Sequence, residues 1–307
     1  MRCACSQRSP APFRPAVVVT LLGWLCFAGP SVRFAAAAEN AILNELREQG
    51  VSAAGQKLVL PKPTLADGAD AAAEKAAWAE IVDENHTVEA LTHQAVVAPF
   101  VLKIADDPGE GKTATLRRLD LWFVAYGDLK KLSDASFVRA QASAAADAES
   151  AANAAGMLSA DELRARGIDA PQDERFLTAR LTLFDRVRIS GTMEALLTRS
   201  PDSVLVAARL DPRFAEDKKF PNQWRSIKKD ESGRTTAGDP HPYTAVGWYA
   251  KATRLRMPKG AILVEYHVVF DEPASWFNGA NLLRSKLPIV VQDGVRKFRR
   301  QLAAGAP

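Results

Sequence analysis

The stretch AILVEYHVVF, residues 261–270, is the most strongly patterned part of this 307-residue chain. Its even-numbered positions are all apolar or aromatic, whereas its odd-numbered positions include Glu265 and His267. Because successive side chains of a β-strand point to opposite faces of the sheet, this alternation predicts a strand with one core face and one mixed face.

The flanking residues extend this strand into a hairpin and a helix. Residues 243–256 are rich in β-forming side chains, and Pro258 and Gly260 follow them, which favours a chain reversal before residue 261. Further along, apolar residues recur at helical spacing as one stripe: Leu287, Val291, Val295, Phe298 and Leu302. Pro288 suits the first turn of a helix, so we expect a break there and a separate final helix after it. Four basic residues predict a solvated helix end: Arg296, Lys297, Arg299 and Arg300.

Earlier segments supply the other elements of the predicted sheet. We expect a hairpin of strands over about 94–104 and 113–126, and further strands over 176–189, 192–198 and 203–210. Short helices are predicted at 41–49 and 69–82. The alanine-rich part of 133–167 favours helix and predicts a helical insert, and 211–240 is expected to be a long polar loop.

An antiparallel sheet with a long last helix lying across it resembles the helix-grip arrangement of START-like lipid-binding domains. The resemblance rests on the order of elements over about residues 75–303, above all on the hairpin and helix of 243–302, and on no residue motif. It implies an α+β fold in which an antiparallel β-sheet carries a long C-terminal helix packed on it. We expect a cavity or groove between sheet and helix that holds a lipid or another apolar or amphipathic molecule.

Residues 1–38 have the pattern of a secretory signal peptide. Arg2, Arg8 and Arg14 precede a short apolar core, and small residues before Glu39 suit cleavage near Ala38. The apolar core is shorter than the roughly 20 residues of a transmembrane helix, although an uncleaved anchor is the alternative. We therefore expect export to the periplasm or the extracellular space. Residues 39–307 would then form a single α+β domain without a transmembrane span.

Loss of this segment would change the chemistry open to the chain. Its cysteines, Cys3, Cys5 and Cys26, all lie within residues 1–38, so the mature chain would have no thiol nucleophile, thiolate metal site or disulfide. Four of the forty basic residues would also leave, and the remaining thirty-six match the thirty-six acidic residues. A neutral chain gives no general electrostatic reason to bind nucleic acid.

No catalytic motif stands out in the remaining sequence. The four histidines show no zinc-protease spacing, and no serine lies in a nucleophile-elbow frame. We therefore expect no metal, no cofactor and no catalysis, and predict non-catalytic ligand binding with Trp224, Trp248, Glu265 and His267 as candidate contacts. Two alternatives stay open: a metal-independent hydrolase that uses Glu265 and His267, and an envelope interaction module without a pocket.

Overall fold

The computed structural model describes residues 40–53, 55–108, 114–134, 154–170, 174–230, 234–277 and 282–304. The expected signal segment, 1–38, lies outside the described residues, and so does most of the predicted alanine-rich helix. Across the described ranges, eleven strands form one antiparallel sheet, and two short strands form a separate hairpin. The α+β architecture, with its long C-terminal helix packed on the sheet, is confirmed.

The element bounds are as follows. The helices are α1 (Ala41–Glu48), α2 (Ala71–Ile81), α3 (Val88–Leu91), α4 (Ala160–Arg164) and α5 (Leu282–Ala303). The separate hairpin is β1 (Val51–Ala53) and β2 (Gln56–Leu58). The large sheet contains β3 (Val101–Pro108), β4 (Ala114–Tyr126), β5 (Ala154–Met157), β6 (Glu174–Leu183), β7 (Val187–Arg199), β8 (Ser203–Leu210), β9 (Gln223–Lys229), β10 (Thr235–Ala237), β11 (His241–Pro242), β12 (Val246–Arg254) and β13 (Ala261–Pro273). The order of the strands in this sheet is β10-β9-β7-β8-β12-β13-β4-β3. In addition, β6 pairs with β7, β5 pairs with β6, and β11 pairs with β9.

Strand β13, the patterned stretch of the sequence, lies inside the sheet. It pairs with β12 from Val246↔Phe270 to Arg254↔Ile262, which confirms the predicted hairpin. Its other edge pairs with β4 along its whole length. Its even-numbered side chains face α5, and we call this side of the sheet the helix face. The other side is the opposite face.

Helix α5 packs its apolar stripe on the helix face, but the expected break at Pro288 is wrong. The helix runs unbroken through Pro288, although proline cannot donate a hydrogen bond to the carbonyl of Arg284. Both residues are exposed, so that carbonyl lies on the solvent side, while Leu287 and Val290 on either side of the proline are buried. Packing of the stripe outweighs the lost bond.

The end of α5 is anchored by Arg299, which corrects the expectation of a fully solvated basic end. Arg299 is 4% exposed, and its Nε donates to the carbonyl of Val124 at 2.8 Å. Its Nη atoms donate to the carbonyls of Val96, Ala98 and Pro99. Burial lowers the pKa of Arg299 to about 10, so the guanidinium stays charged at neutral pH. This side chain ties the helix to β4 and to the segment before β3.

The N-terminal segment covers the part of the opposite face formed by β4, β8, β12 and β13. Asn40 caps helix α1, since its Oδ1 accepts from the amide of Leu43 at 3.0 Å, and Asp70 caps α2 in the same way. At the end of α1, Gly50 has a φ of +68°, and a Cβ there would lie 2.4 Å from the carbonyl oxygen of Leu58. Only glycine fits this reversal, which returns the chain onto the sheet.

Several predicted boundaries differ from the structure. Strand β7 passes without interruption through Ser190 and Gly191, and the chain reverses earlier, where Phe184 and Asp185 adopt positive φ. The predicted loop of 211–240 contains the paired strands β9 and β10.

The predicted helical insert of 133–167 contains both strand and helix. Its described part contains strand β5 before the short helix α4. Ser159 and Glu162 form a capping box at the start of α4. None of the described helices is long and apolar enough to cross a membrane.

Candidate functional site

An apolar cavity lies between the helix face and the first half of α5. The cavity has a volume of about 100 Å³. Side chains from β4, β6, β7, β8, β12 and β13 form its walls, and Leu283 and Leu287 of α5 close it. The cavity therefore sits where the helix-grip arrangement predicts a ligand.

Two small residues leave this space open. Ala179 of β6 lies opposite Gly191 of β7 in the sheet, and both line the cavity. A Cβ on Gly191 would lie only 2.9 Å from Cδ1 of Leu210, which also lines it. Further along α5, Phe298 packs directly on Phe123 with ring centroids 5.4 Å apart. The helix thus packs tightly at its C-terminal end and leaves a void at its N-terminal end.

The sixteen described lining residues carry no charged side chain. Tyr243 donates from its hydroxyl to the carbonyl of Asp271 at 3.4 Å, whereas the hydroxyl of Tyr266 has no partner among the described residues. Burial raises the pKa of both tyrosines, so their hydroxyls stay neutral. The space is several times what one water needs, about 10–15 Å³, but it offers a water too few polar partners. Such a cavity favours an apolar occupant over water.

The four candidate contacts are not brought together. Trp248 lines the cavity. Trp224 belongs to the same core but is not among the lining residues, and its ring stacks on that of His241 with centroids 4.4 Å apart. Glu265 and His267 lie on the opposite face, because they occupy the odd-numbered positions of β13. The structure therefore places Trp248 at the cavity, Trp224 in the adjoining core, and Glu265 and His267 on the other side of the sheet.

Glu265 and His267 instead form a buried polar cluster with Asp120 of β4. His267 Nδ1 lies 2.8 Å from Asp120 Oδ1, and its Nε2 lies 3.3 Å from Glu265 Oε2. The amide of Thr64 also donates to Glu265 Oε2 at 2.8 Å. The ring of Tyr249 stacks on the imidazole with centroids 4.7 Å apart. Sequence analysis missed Asp120 and Thr64, which lie far from β13 along the chain.

The cluster favours a charged imidazole. Burial opposes the charge on His267, but the hydrogen bonds to Asp120 and Glu265 outweigh it and raise the pKa of the imidazole above 6.5. Lys251, opposite Glu265 on β12, is also buried, donates to the carbonyl of Leu65 at 2.8 Å and pairs with Asp67 at 2.7 Å. These bonds hold the segment around Leu65 across the cluster.

This enclosure bears on the hydrolase alternative. The side chains of Glu265 and His267 are 1% and 0% exposed, so a substrate would reach them only if the covering segment moved away. A general base must come within hydrogen-bond reach of the proton that it removes. Among the described residues, no group of three or more His, Cys, Asp or Glu side chains is placed to hold a metal ion. The cluster as built joins the N-terminal segment to the sheet.

Comparison with known proteins gives fold-level matches alone. No family model and no curated protein matches the chain. The lipid transfer and protein localization domain of human StarD13 is 6% identical, with 65% of this chain and 89% of that chain covered at a TM-score of 0.37. Human STARD10 is also 6% identical, with 66% and 77% covered and a TM-score of 0.33. A protein of Rhizobium leguminosarum is 12% identical, with 61% and 98% covered and a TM-score of 0.29. The resemblance to START-like domains is confirmed as one of fold, and identities and scores this low identify neither a family nor a ligand.

Proposed function

We propose that the protein binds an apolar or amphipathic small molecule, without catalysis, in the cavity between the sheet and α5. One observation carries the proposal: a space of about 100 Å³ between the sheet and α5 whose described walls hold no charged group. Filling such a space with hydrocarbon removes apolar surface from the reach of water and restores contacts that the empty walls lack.

The size of the cavity limits what enters the structure as it stands. Sites for drug-sized ligands typically measure about 300–1,000 Å³. This cavity therefore takes a small apolar group or one end of a longer chain, and a whole lipid requires the first half of α5 to move outward. Tyr266 supplies a neutral hydroxyl for one polar atom of the ligand. The ligand class is thus a mainly hydrocarbon molecule with few polar groups.

Export remains part of the proposal. It rests on the sequence of residues 1–38, with its arginines, short apolar core and small residues before Glu39. A ligand would then be taken up outside the cytoplasm. The mass of the mature protein from its own host checks this directly, because cleavage near Ala38 gives a chain that begins at Glu39. A mature protein that keeps residues 1–38 would contradict it.

Binding is tested with straight-chain alcohols from hexanol to hexadecanol, added to protein stripped of lipid. We expect saturable changes in tryptophan fluorescence, since Trp248 lines the cavity, together with a higher midpoint of thermal unfolding. Native mass spectrometry of unstripped protein should show a bound hydrophobic mass. If no alcohol binds saturably and repeated spectra show protein alone, the protein does not bind such ligands, and the interaction module without a pocket gains support.

A further inference from the structure

Three arginines lie side by side on the opposite face of neighbouring strands. Arg188 of β7 is directly opposite Arg225 of β9, and Thr182 of β6 is directly opposite Arg188 on its other side. Arg180 is two residues from Thr182 and therefore points to the same face. Directly opposed residues of an antiparallel pair share a face and lie within reach of each other. The register alone thus brings the three guanidinium groups into one patch, which we call the arginine patch.

Among the described residues, the arginine patch has no compensating carboxylate. None of its three side chains forms a hydrogen bond or an ion pair with a described residue, and the buried Nε of Arg188 has no acceptor. Burial and the charges of Arg180 and Arg225 lower the pKa of Arg188. Several other arginines pair with acids: Arg117 with Asp106 and Glu272, Arg166 with Asp217, Arg209 with Glu45 and Glu194, and Arg213 with Asp211. The arginines of the patch have no such partner among the described residues, and the buried Nε of Arg199 also lacks an acceptor.

The other described side chains beside these arginines on this face are neutral. Ser190 lies opposite Arg180 and also opposite Gln223, and Thr178 lies opposite Thr192. Hydroxyl and amide groups donate hydrogen bonds to an anion without competing with it for the arginines. The strands thus present one exposed and two half-buried guanidinium groups beside neutral donors.

Like charges directly opposite each other destabilise a sheet, and a buried donor without an acceptor adds to that cost. An anion with several oxygens removes both costs at once, because the planar guanidinium fork binds phosphate and similar groups through paired hydrogen bonds. We propose that the arginine patch is a binding site for a phosphate-type oxyanion, carried by a small molecule or by a lipid headgroup. The site lies on the far side of β6 and β7 from the cavity, and the inference does not depend on the ligand of the cavity.

The test compares the wild type with Arg188→Gln and Arg225→Gln, and with Arg254→Gln as the matched control. Arg254 is an exposed arginine at the end of β12, away from the arginine patch. Pyrophosphate is titrated by calorimetry at low ionic strength, where screening is weak. We expect saturable binding that each patch variant weakens by roughly tenfold or more, since each removes a charge-assisted pair of hydrogen bonds. The control should bind like the wild type.

A second arm identifies the source of the anion. Vesicles of phosphatidylcholine with and without phosphatidylglycerol are sedimented with the same four proteins. Loss of binding to the anionic vesicles in the patch variants, with weak pyrophosphate binding throughout, assigns the site to a lipid headgroup. Loss of pyrophosphate binding without an effect on vesicles assigns it to a soluble phosphate compound. Patch variants that match the wild type in both arms, or a control that loses as much, would overturn the proposal.

Stability in phosphate-free buffer separates binding from a structural role. Arg188→Gln should unfold at the same temperature as the wild type or higher, because it removes a like charge that no acid among the described residues offsets. With pyrophosphate present, only the wild type and the control should gain stability. A lower unfolding temperature for Arg188→Gln without any anion would show that Arg188 supports the fold, and the proposal would fail.

Discussion

Replacing Ala179 with leucine should stabilise the protein, because the larger side chain would fill the cavity. Ala179 lines it and is 7% exposed. Leucine adds three carbons, worth roughly 2 kcal/mol at about 0.8 kcal/mol for each buried methylene. Loss of leucine rotamer freedom subtracts about 0.5–1 kcal/mol. We therefore expect the free energy of unfolding to rise by about 1–2 kcal/mol. At about 24 cal/mol for each Å³ of void, filling a cavity of this size can contribute at most about 2 kcal/mol.

The matched control is Ala195→Leu. Ala195 belongs to β7, beside β6, and is completely buried in the core cluster on the helix face, but it is not among the lining residues. The same three carbons there must enter packed space, which typically costs about 1–3 kcal/mol. The two substitutions share their chemistry and their face of the sheet, and they differ in whether they meet a void.

Urea unfolding followed by tryptophan fluorescence measures both variants on protein stripped of lipid. The free energy of unfolding should rise for Ala179→Leu and fall for Ala195→Leu, and Ala179→Leu should also lose uptake of straight-chain alcohols. If Ala179→Leu is destabilised as much as the control, the space is already occupied by packed atoms. If it is stabilised but still takes up alcohols like the wild type, the ligand site lies elsewhere.

Three further predictions concern the opposite face and α5. Because the folded pKa of His267 is raised, the stability that its charge contributes should be full below about pH 6.5 and be lost as the pH rises through the folded pKa. In His267→Gln, urea unfolding across that range should lose this part of its pH dependence. Arg299→Met should cost about 3 kcal/mol or more, since it leaves buried carbonyls without donors, whereas the exposed Arg300→Met should stay within about 0.5 kcal/mol in the same assay. Pro288→Ala restores a hydrogen bond within α5, so it should raise the free energy of unfolding by up to about 3 kcal/mol. It should also slow the uptake of alcohols measured by stopped-flow fluorescence. An unchanged uptake rate would contradict an opening of α5 at this point.

The parts of the fold that sequence predicts best are those with local causes. The alternation of residues 261–270 reflects a strand covered differently on its two faces, and the spacing of Leu287, Val291 and Val295 reflects one buried helical stripe. The caps of α4 depend on residues only three apart. Each of these patterns is complete within a few turns or strand repeats, so neighbouring residues suffice to predict it.

The candidate site could not be predicted in the same way, because its partners are distant along the chain. Asp120 and Thr64 contact β13 from 147 and 201 residues away. Alternation shows that Glu265 and His267 share a face, but it cannot show that an N-terminal segment covers that face. The polar side chains therefore suggested a pocket, while the cavity lies on the uniformly apolar side.

The boundary between the predicted strands 176–189 and 192–198 is misplaced for a related reason. The prediction leaves a gap at Ser190 and Gly191, whereas β7 runs through both. Gly191 serves close packing, because a Cβ there would approach Leu210. The actual reversal uses Phe184 and Asp185 at positive φ, a conformation that the sequence around a phenylalanine does not suggest. Tertiary contacts, absent from local sequence, decide both positions.

The size of the cavity and the construction of α5 together indicate how binding would work. Filling the cavity with an apolar group contributes about 2 kcal/mol. This is less than the binding free energy of even a millimolar complex, which is roughly 4 kcal/mol. Useful affinity therefore requires more buried surface than the closed cavity offers. The second half of α5 is fixed by Phe298, Arg299 and Leu302, whereas the first half closes the cavity through Leu283 and Leu287. Pro288, which lacks the hydrogen bond to the preceding turn, directly follows Leu287, so outward movement of the part of α5 before it would break the fewest backbone bonds there.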